Sequence, residues 1–163
     1  MKRLNLGIIG LLYCYTLVSQ TPLDAPLPEK FAGMKEIILV DNFPNPVKAS
    51  TYAKEPNKFF WKHTTSILST HENITIEEGG AYLFYDKKWN LRVAYPKKKF
   101  AKLYKVPKGK MKKGEPYVFV RNWRVGPKLF GGWAMWYVIG TTDSGERVFG
   151  VGRLDTVGEV YVE

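Results

Sequence analysis

Apolar residues recur at every second position in several stretches of this chain, and that period of two predicts strands rather than helices. Between Trp89 and Tyr95, the residues Trp89, Leu91, Val93 and Tyr95 alternate with Asn90, Arg92 and Ala94. This predicts a half-buried antiparallel strand with the first set on its covered face. Asp86-Lys87-Lys88 predicts a hairpin turn leading into it from two shorter strands, Asn73–Glu78 and Gly80–Tyr85. Phe59–Leu68 places Trp61, His63, Thr65 and Ile67 on one face, and Pro116–Trp123 does the same for Tyr117, Phe119, Arg121 and Trp123. Trp133–Ile139 is apolar on both faces apart from a tyrosine hydroxyl, as expected of a central strand. Glu36–Val40 and Arg147–Leu154 read as further strands, and Tyr161 with its neighbours as an edge strand. Turn clusters at Asn42–Pro46 and Thr142–Gly145 separate these runs.

One segment breaks the period. In Lys98–Lys105, Phe100, Leu103 and Tyr104 fall at i, i+3 and i+4, a narrow helical stripe that Pro107 and Gly109 terminate. Seven or eight short strands with one short helix predict an all-β fold, an antiparallel β-sandwich, with a small β-barrel as the alternative.

The first residues follow another pattern. Lys2 and Arg3 precede an apolar run from Leu4 to Val18, and Ser19-Gln20 leads into a proline-rich stretch. This is the layout of a secretory signal peptide, residues 1–19. As a helix the run spans only about 22 Å, short of the roughly 30 Å core of a membrane. Residues 20–34 read as an extended proline-rich leader and 35–163 as one domain. Cys14 is the single cysteine and lies within the signal, which excludes disulfides, thiol nucleophiles and thiolate metal sites from the mature chain. Tyr13 before Cys14 argues against a lipidated terminus. The expected location is the periplasm or the cell surface, with no membrane span in the mature chain.

Charge then narrows the partners. The chain carries 25 basic and 15 acidic residues, a net of +10. Two of the bases lie in the signal and nine are lysines between Lys97 and Lys113, which leaves 14 bases against the 15 acids elsewhere. The domain is near neutral with one cationic excursion, formed by Lys97, Lys98, Lys99, Lys102, Lys105, Lys108, Lys110, Lys112 and Lys113. Such a segment attracts an anionic glycan, a lipid headgroup or an acidic envelope protein; export argues against nucleic acid. Its other reading is a solvated face guarding a sheet edge.

All five tryptophans belong to the domain. Trp123 and Trp133 flank the loop from Arg124 to Gly132, which makes Trp123, Arg124 and Trp133 a candidate aromatic rim, a second candidate surface besides the lysine segment. The competing reading of each tryptophan is core packing.

Catalytic signals are weak. His63 and His71 are the only histidines, and no HxH or HxxxH spacing supports a metal set with Glu72 or Glu77. Glu77 and Glu78 point to opposite faces of a regular strand. Ser66, Ser69 and Ser144 lack a nucleophile elbow, and the paired glycines precede strands rather than helices. The expectation is a non-enzyme that uses neither metal nor cofactor.

Asp41–Pro46, Trp61–Thr65, Gly80–Phe84, Trp89–Val93 and Gly132–Gly140 together resemble small exported proteins of Bacteroidota, a group without an assigned activity. The resemblance spans about residues 36–157 and implies a Gram-negative envelope setting. The expected function is an exported binding domain working through the lysine segment and the aromatic rim. The alternatives are an accessory subunit of an envelope complex, docking by strand addition, and a small metal-dependent hydrolase.

Overall fold

Seven consecutive residues, Ala134–Gly140, are buried on both sides, and they form the centre of the longest paired unit in the molecule. The computed structural model describes residues 22–161, so the signal reading and Cys14 lie outside the described residues. Twelve strands are described: β1 (Lys35–Glu36), β2 (Ile38–Phe43), β3 (Val47–Thr51), β4 (Phe59–Trp61), β5 (Thr64–Ser69) and β6 (Ile74–Tyr85) in the first half. The second half holds β7 (Lys88–Pro96), β8 (Lys110–Met111), β9 (Pro116–Phe119), β10 (Arg124–Gly126), β11 (Gly132–Thr142) and β12 (Arg147–Val160). Among the described residues the single α-helix, α1, spans Lys97–Tyr104. The fold is all-β with one short helix.

The large sheet runs β10-β4-β3-β12-β11-β6-β7, with β1 beside β12 and β8 beside β6, and it curls into a half-barrel. The second sheet, β2-β5-β9, lies over its concave face. Ile38, Ile67 and Tyr117 from the small sheet meet Ile74, Ile76, Val138 and Val148 from the large one, and Phe100 and Tyr104 of α1 seal that core. The layers close tightly because β12 carries glycines where β2 crosses it. A Cβ on Gly150 would sit 2.0 Å from the Ile38 carbonyl oxygen.

Several expected segments are redrawn by this two-sheet arrangement. Phe59–Leu68 is not one strand: β4 pairs with β3 and β10 in the large sheet, while β5 pairs with β2 and β9 in the small one. The chain therefore changes sheets at Lys62-His63. It changes sheets again between β2 and β3 and between β9 and β10. These three of the six passages between the sheets fall at one end, because Phe43 pairs with Thr64 and Thr65 pairs with Phe119. Pro116–Trp123 accordingly ends as a strand at Phe119. β6 runs unbroken through Gly79-Gly80, and β12 continues to Val160, so no separate strand forms at Tyr161.

Two bulges change which way side chains point. The register of β6 against β7 shifts between Ala81 and Tyr82, so Tyr82 pairs with Leu91 but Ala81 pairs with Val93. Arg92 is the extra residue, and the four apolar residues of β7 do not share a face. Trp89 packs on the convex side with Tyr82 and Phe84, whereas Val93 and Tyr95 turn to the concave side. A second shift, between Ile139 and Gly140, leaves Glu77 unpaired in β6 and puts it on the same convex side as Glu78. Each acid has its own base there: Glu77 accepts from Arg147 at 2.9 Å, and Glu78 pairs with Lys30.

The proline-rich leader does not stand free. Ala25 and Phe31 are buried against Tyr82, Tyr137 and Phe149 on the convex face, with Leu27 and Met34 beside them. Phe31 stacks on Phe149 with ring centroids 4.9 Å apart, and the Tyr137 hydroxyl donates to Glu78 at 3.0 Å. Both faces of the central strands are thus covered.

Candidate functional site

The corner where the chain changes sheets roofs a cavity of about 550 Å³ on the concave side. Arg121, Asn122 and Trp123 reach it from the passage between β9 and β10, and Arg124 and Val125 from β10 itself. Arg92, Val93 and Tyr95 come from β7. Strands β7 and β10 are the two ends of the large sheet, so the curl of that sheet brings Arg92 and Arg124 to one space. Ala81, Leu83, Ala134, Trp136 and Leu154 form an apolar floor, and Phe119 and Phe130 stand at the sides.

A buried polar chain holds the corner in place. Asn122 donates its backbone N–H to the His63 carbonyl at 3.1 Å and its side-chain Nδ2 to Thr65 Oγ1 at 2.7 Å. Thr65 donates in turn to Asn42 Oδ1 at 2.7 Å, and Asn42 Nδ2 donates to the Gly152 carbonyl at 3.1 Å. This chain ties β2, β5 and β12 to the segment that carries Arg121–Arg124. Such satisfied networks rigidify a site, since every member left unpaired would carry a desolvation cost.

The electrostatics of the cavity are one-sided. No carboxylate lines it, and among the described residues Arg92, Arg121 and Arg124 make no salt bridge. Arg124 lies with its guanidinium carbon 4.0 Å from the Phe130 ring centre, and Phe130 stacks on Trp61 at 4.0 Å. Burial, and then the charge of Arg92, lower the pKa of Arg124 below its ordinary value. His63 is 4% exposed at the cavity wall. Its Nδ1 lies 3.2 Å from the Trp61 carbonyl oxygen, so Nδ1 carries the proton and Nε2 is bare. Nε2 is buried without a hydrogen-bond partner. Burial lowers the pKa of His63; the hydrogen bond to Trp61 opposes that effect and the charge of Arg124 adds to it. The imidazole is therefore neutral at pH 7.

The residues expected from the sequence divide among three places. Trp123 and Arg124 line the cavity; Trp123 is 42% exposed, with the Lys62 ammonium 5.3 Å from its ring centre. Trp133 packs with the convex cluster, so it shares no rim with Trp123. The two point to opposite sides of the sheet.

The lysine segment lies beyond an aromatic wall in which Phe119 packs on Tyr104 at 5.8 Å. Lys97, Lys98, Lys102, Lys105 and Lys108 rim an open groove floored by Ala101, Val106 and Gly109. Lys99 instead covers the Tyr95 ring at 4.6 Å. Lys110 pairs with Asp143 at 2.8 Å and Lys112 with Glu115 at 3.7 Å, while Lys113 donates its backbone N–H to Asn73.

His63 lies at the sheet corner, while His71 is exposed and within reach of Thr70 at 2.8 Å. Among the described residues no three of His, Cys, Asp and Glu gather closely enough to hold a metal ion. Glu72 is engaged by Ser144, whose backbone N–H donates to it at 3.1 Å.

Sequence reasoning missed Arg92 as a site residue, because the alternation around it placed it on the solvent face. The β-bulge that brings it to the cavity has no signature in the alternation. No helix of the described residues is long and apolar enough to cross a membrane.

Solved structures resemble this chain only distantly. The Northeast Structural Genomics Consortium target SoR45 matches with a TM-score of 0.46 and 14% identity, over 78% of this chain and 92% of that one. The N-terminal domain of PorA matches with a TM-score of 0.30 and 13% identity, over 75% of this chain and 98% of that domain. No family model and no curated protein matches the chain.

Proposed function

We propose that this is an exported, non-enzymatic binding domain of the cell envelope, and that it takes an anionic ligand in the concave cavity. The observation carrying this reading is the meeting of Arg92 and Arg124 from opposite ends of one sheet, with Arg121 on the same wall and no carboxylate among the lining residues. Arg124 is half-buried while Arg92 and Arg121 stand exposed at the mouth, and an anion seated there offsets their mutual repulsion. The polar network through Asn122, Thr65 and Asn42 holds this arrangement before any ligand arrives, which lowers the ordering cost of binding. The lysine groove adds a long-range attraction for the same sign of charge.

The test is a titration of the mature chain with anilinonaphthalene sulfonate, an aromatic anion whose emission reports entry into an apolar site. The native protein is compared with R92Q/R124Q. Losing two charge-assisted contacts weakens binding by at least about tenfold, with the melting temperature used to confirm folding. Raising the salt concentration weakens the native protein but hardly changes the variant. Equal dye affinity in a folded R92Q/R124Q protein overturns the reading.

A further inference from the structure

Resting on that reading, we infer that the cavity takes a single-headed organic acid: one carboxylate on an apolar body, seated with the carboxylate between Arg92 and Arg124. The floor under those guanidinium groups is aliphatic and aromatic. A small inorganic anion seated on the arginines would leave the half-buried Leu83, Val93, Tyr95, Phe119 and Phe130 in contact with water and gain nothing from them. A polyanion fits no better, because beyond the three arginines this half-open space of about 550 Å³ is lined mostly by apolar side chains and by no lysine. That volume falls within the range that encloses one small organic molecule.

Charge and shape agree on the head as well. Planar carboxylates accept paired hydrogen bonds from guanidinium forks. One such anion offsets both effects that lower the Arg124 pKa, its burial first and the charge of Arg92 second. His63 stands neutral at the wall, and the third arginine, Arg121, is exposed and has no part in lowering the Arg124 pKa, so Arg92 and Arg124 hold the head between them. The body has two possible sources, an alkyl chain or an aromatic ring, since Phe119, Phe130 and Trp136 suit either.

Calorimetric titrations of the mature chain with acetate, hexanoate, decanoate, 2-naphthoate, decanol and inorganic phosphate, all below any micellar concentration, test this. Affinity for the acids rises with apolar area, by up to about fourfold per added methylene while the floor is being covered. R124Q removes the gap between decanoate and decanol, and V93W, which narrows the cavity at a half-buried position, weakens decanoate but leaves phosphate unchanged. Decanoate tighter than naphthoate assigns an alkyl acid, and the reverse assigns an aromatic one.

If acetate or phosphate binds as tightly as decanoate, the ligand is a small hydrophilic anion; the inference fails and the anion-binding function stands. If decanol matches decanoate in the native protein, or if none of the probes binds, both fail.

Discussion

Gly79 is where the helix meets the large sheet, and it offers the most direct test of how the cavity's back wall is built. A Cβ placed on Gly79 would lie 2.2, 2.4 and 2.6 Å from three carbons of the Phe100 ring, where ordinary contact begins at 3.4 Å. Gly79→Ala therefore requires the ring to withdraw by more than about 1 Å, and a close-packed core does not yield that distance freely. Phe100 is 0% exposed and stacks on Tyr104 with centroids 4.4 Å apart, so its retreat pushes on Tyr104, which touches Phe119 at the cavity. Overpacking of this kind costs about 1–3 kcal/mol, which for a domain of this size lowers the melting temperature by roughly 3–10 °C. Thermal and urea denaturation followed by circular dichroism measure the loss. The same substitution made in a Phe100→Leu background, where the clashing ring edge is gone, costs at least about 1 kcal/mol less, and that coupling is the signature of direct contact. A melting temperature unchanged by Gly79→Ala, or a cost identical in both backgrounds, would refute the docking of α1 on β6.

Four further outcomes follow from the site. His63 has a folded-state pKa below its ordinary value of 6.5, so the unfolded chain binds more protons than the folded one once the pH drops under about 6.5. Stability is whole above that pH and declines below it. His63→Asn flattens the decline between pH 7 and 5, whatever it does to stability at pH 7, and an unaltered slope in urea titrations excludes His63 as a source. Thr65→Val leaves the Asn42 carbonyl and the Asn122 amide without their buried partner and costs about 2–4 kcal/mol, while Thr65→Ser keeps most of the stability. Phe130→Leu removes the ring between Trp61 and the Arg124 guanidinium, costs about 1–2 kcal/mol and weakens dye binding several-fold. Replacing Lys97, Lys98, Lys102 and Lys105 with glutamine slows dye association at low salt but changes the equilibrium affinity by less than about threefold, as expected of rim charges; a loss as large as that of R92Q/R124Q would move the site to the groove.

Much of the local structure is legible from the residues alone. The strand from Trp133 to Ile139 is apolar on both faces because leader and core cover it from opposite sides. The hairpin at Asp86-Lys87 forms as its residues suggest: both adopt positive φ, 52° and 58°, and Tyr85 pairs with Lys88. The stripe Phe100, Leu103 and Tyr104 becomes the covered face of α1. The concentration of lysines is equally plain, since it needs only counting.

The binding surface is another matter. Period-two alternation assigns faces only until a bulge intervenes, and the extra residue at Arg92 keeps that side chain exposed but brings it to the mouth of the cavity. It also separates Trp89 from Tyr95, which the alternation had joined. Trp123 and Trp133, ten positions apart, end on opposite sides of the sheet because the first lies on a passage between sheets and the second on a regular strand. The hairpin, the helical stripe and the charge run arise from neighbours in the chain and are determined by the sequence by itself. The meeting of Arg92 with Arg124 depends on how far a seven-strand path curls, which is a property of the whole sheet, and only the tertiary structure decided it.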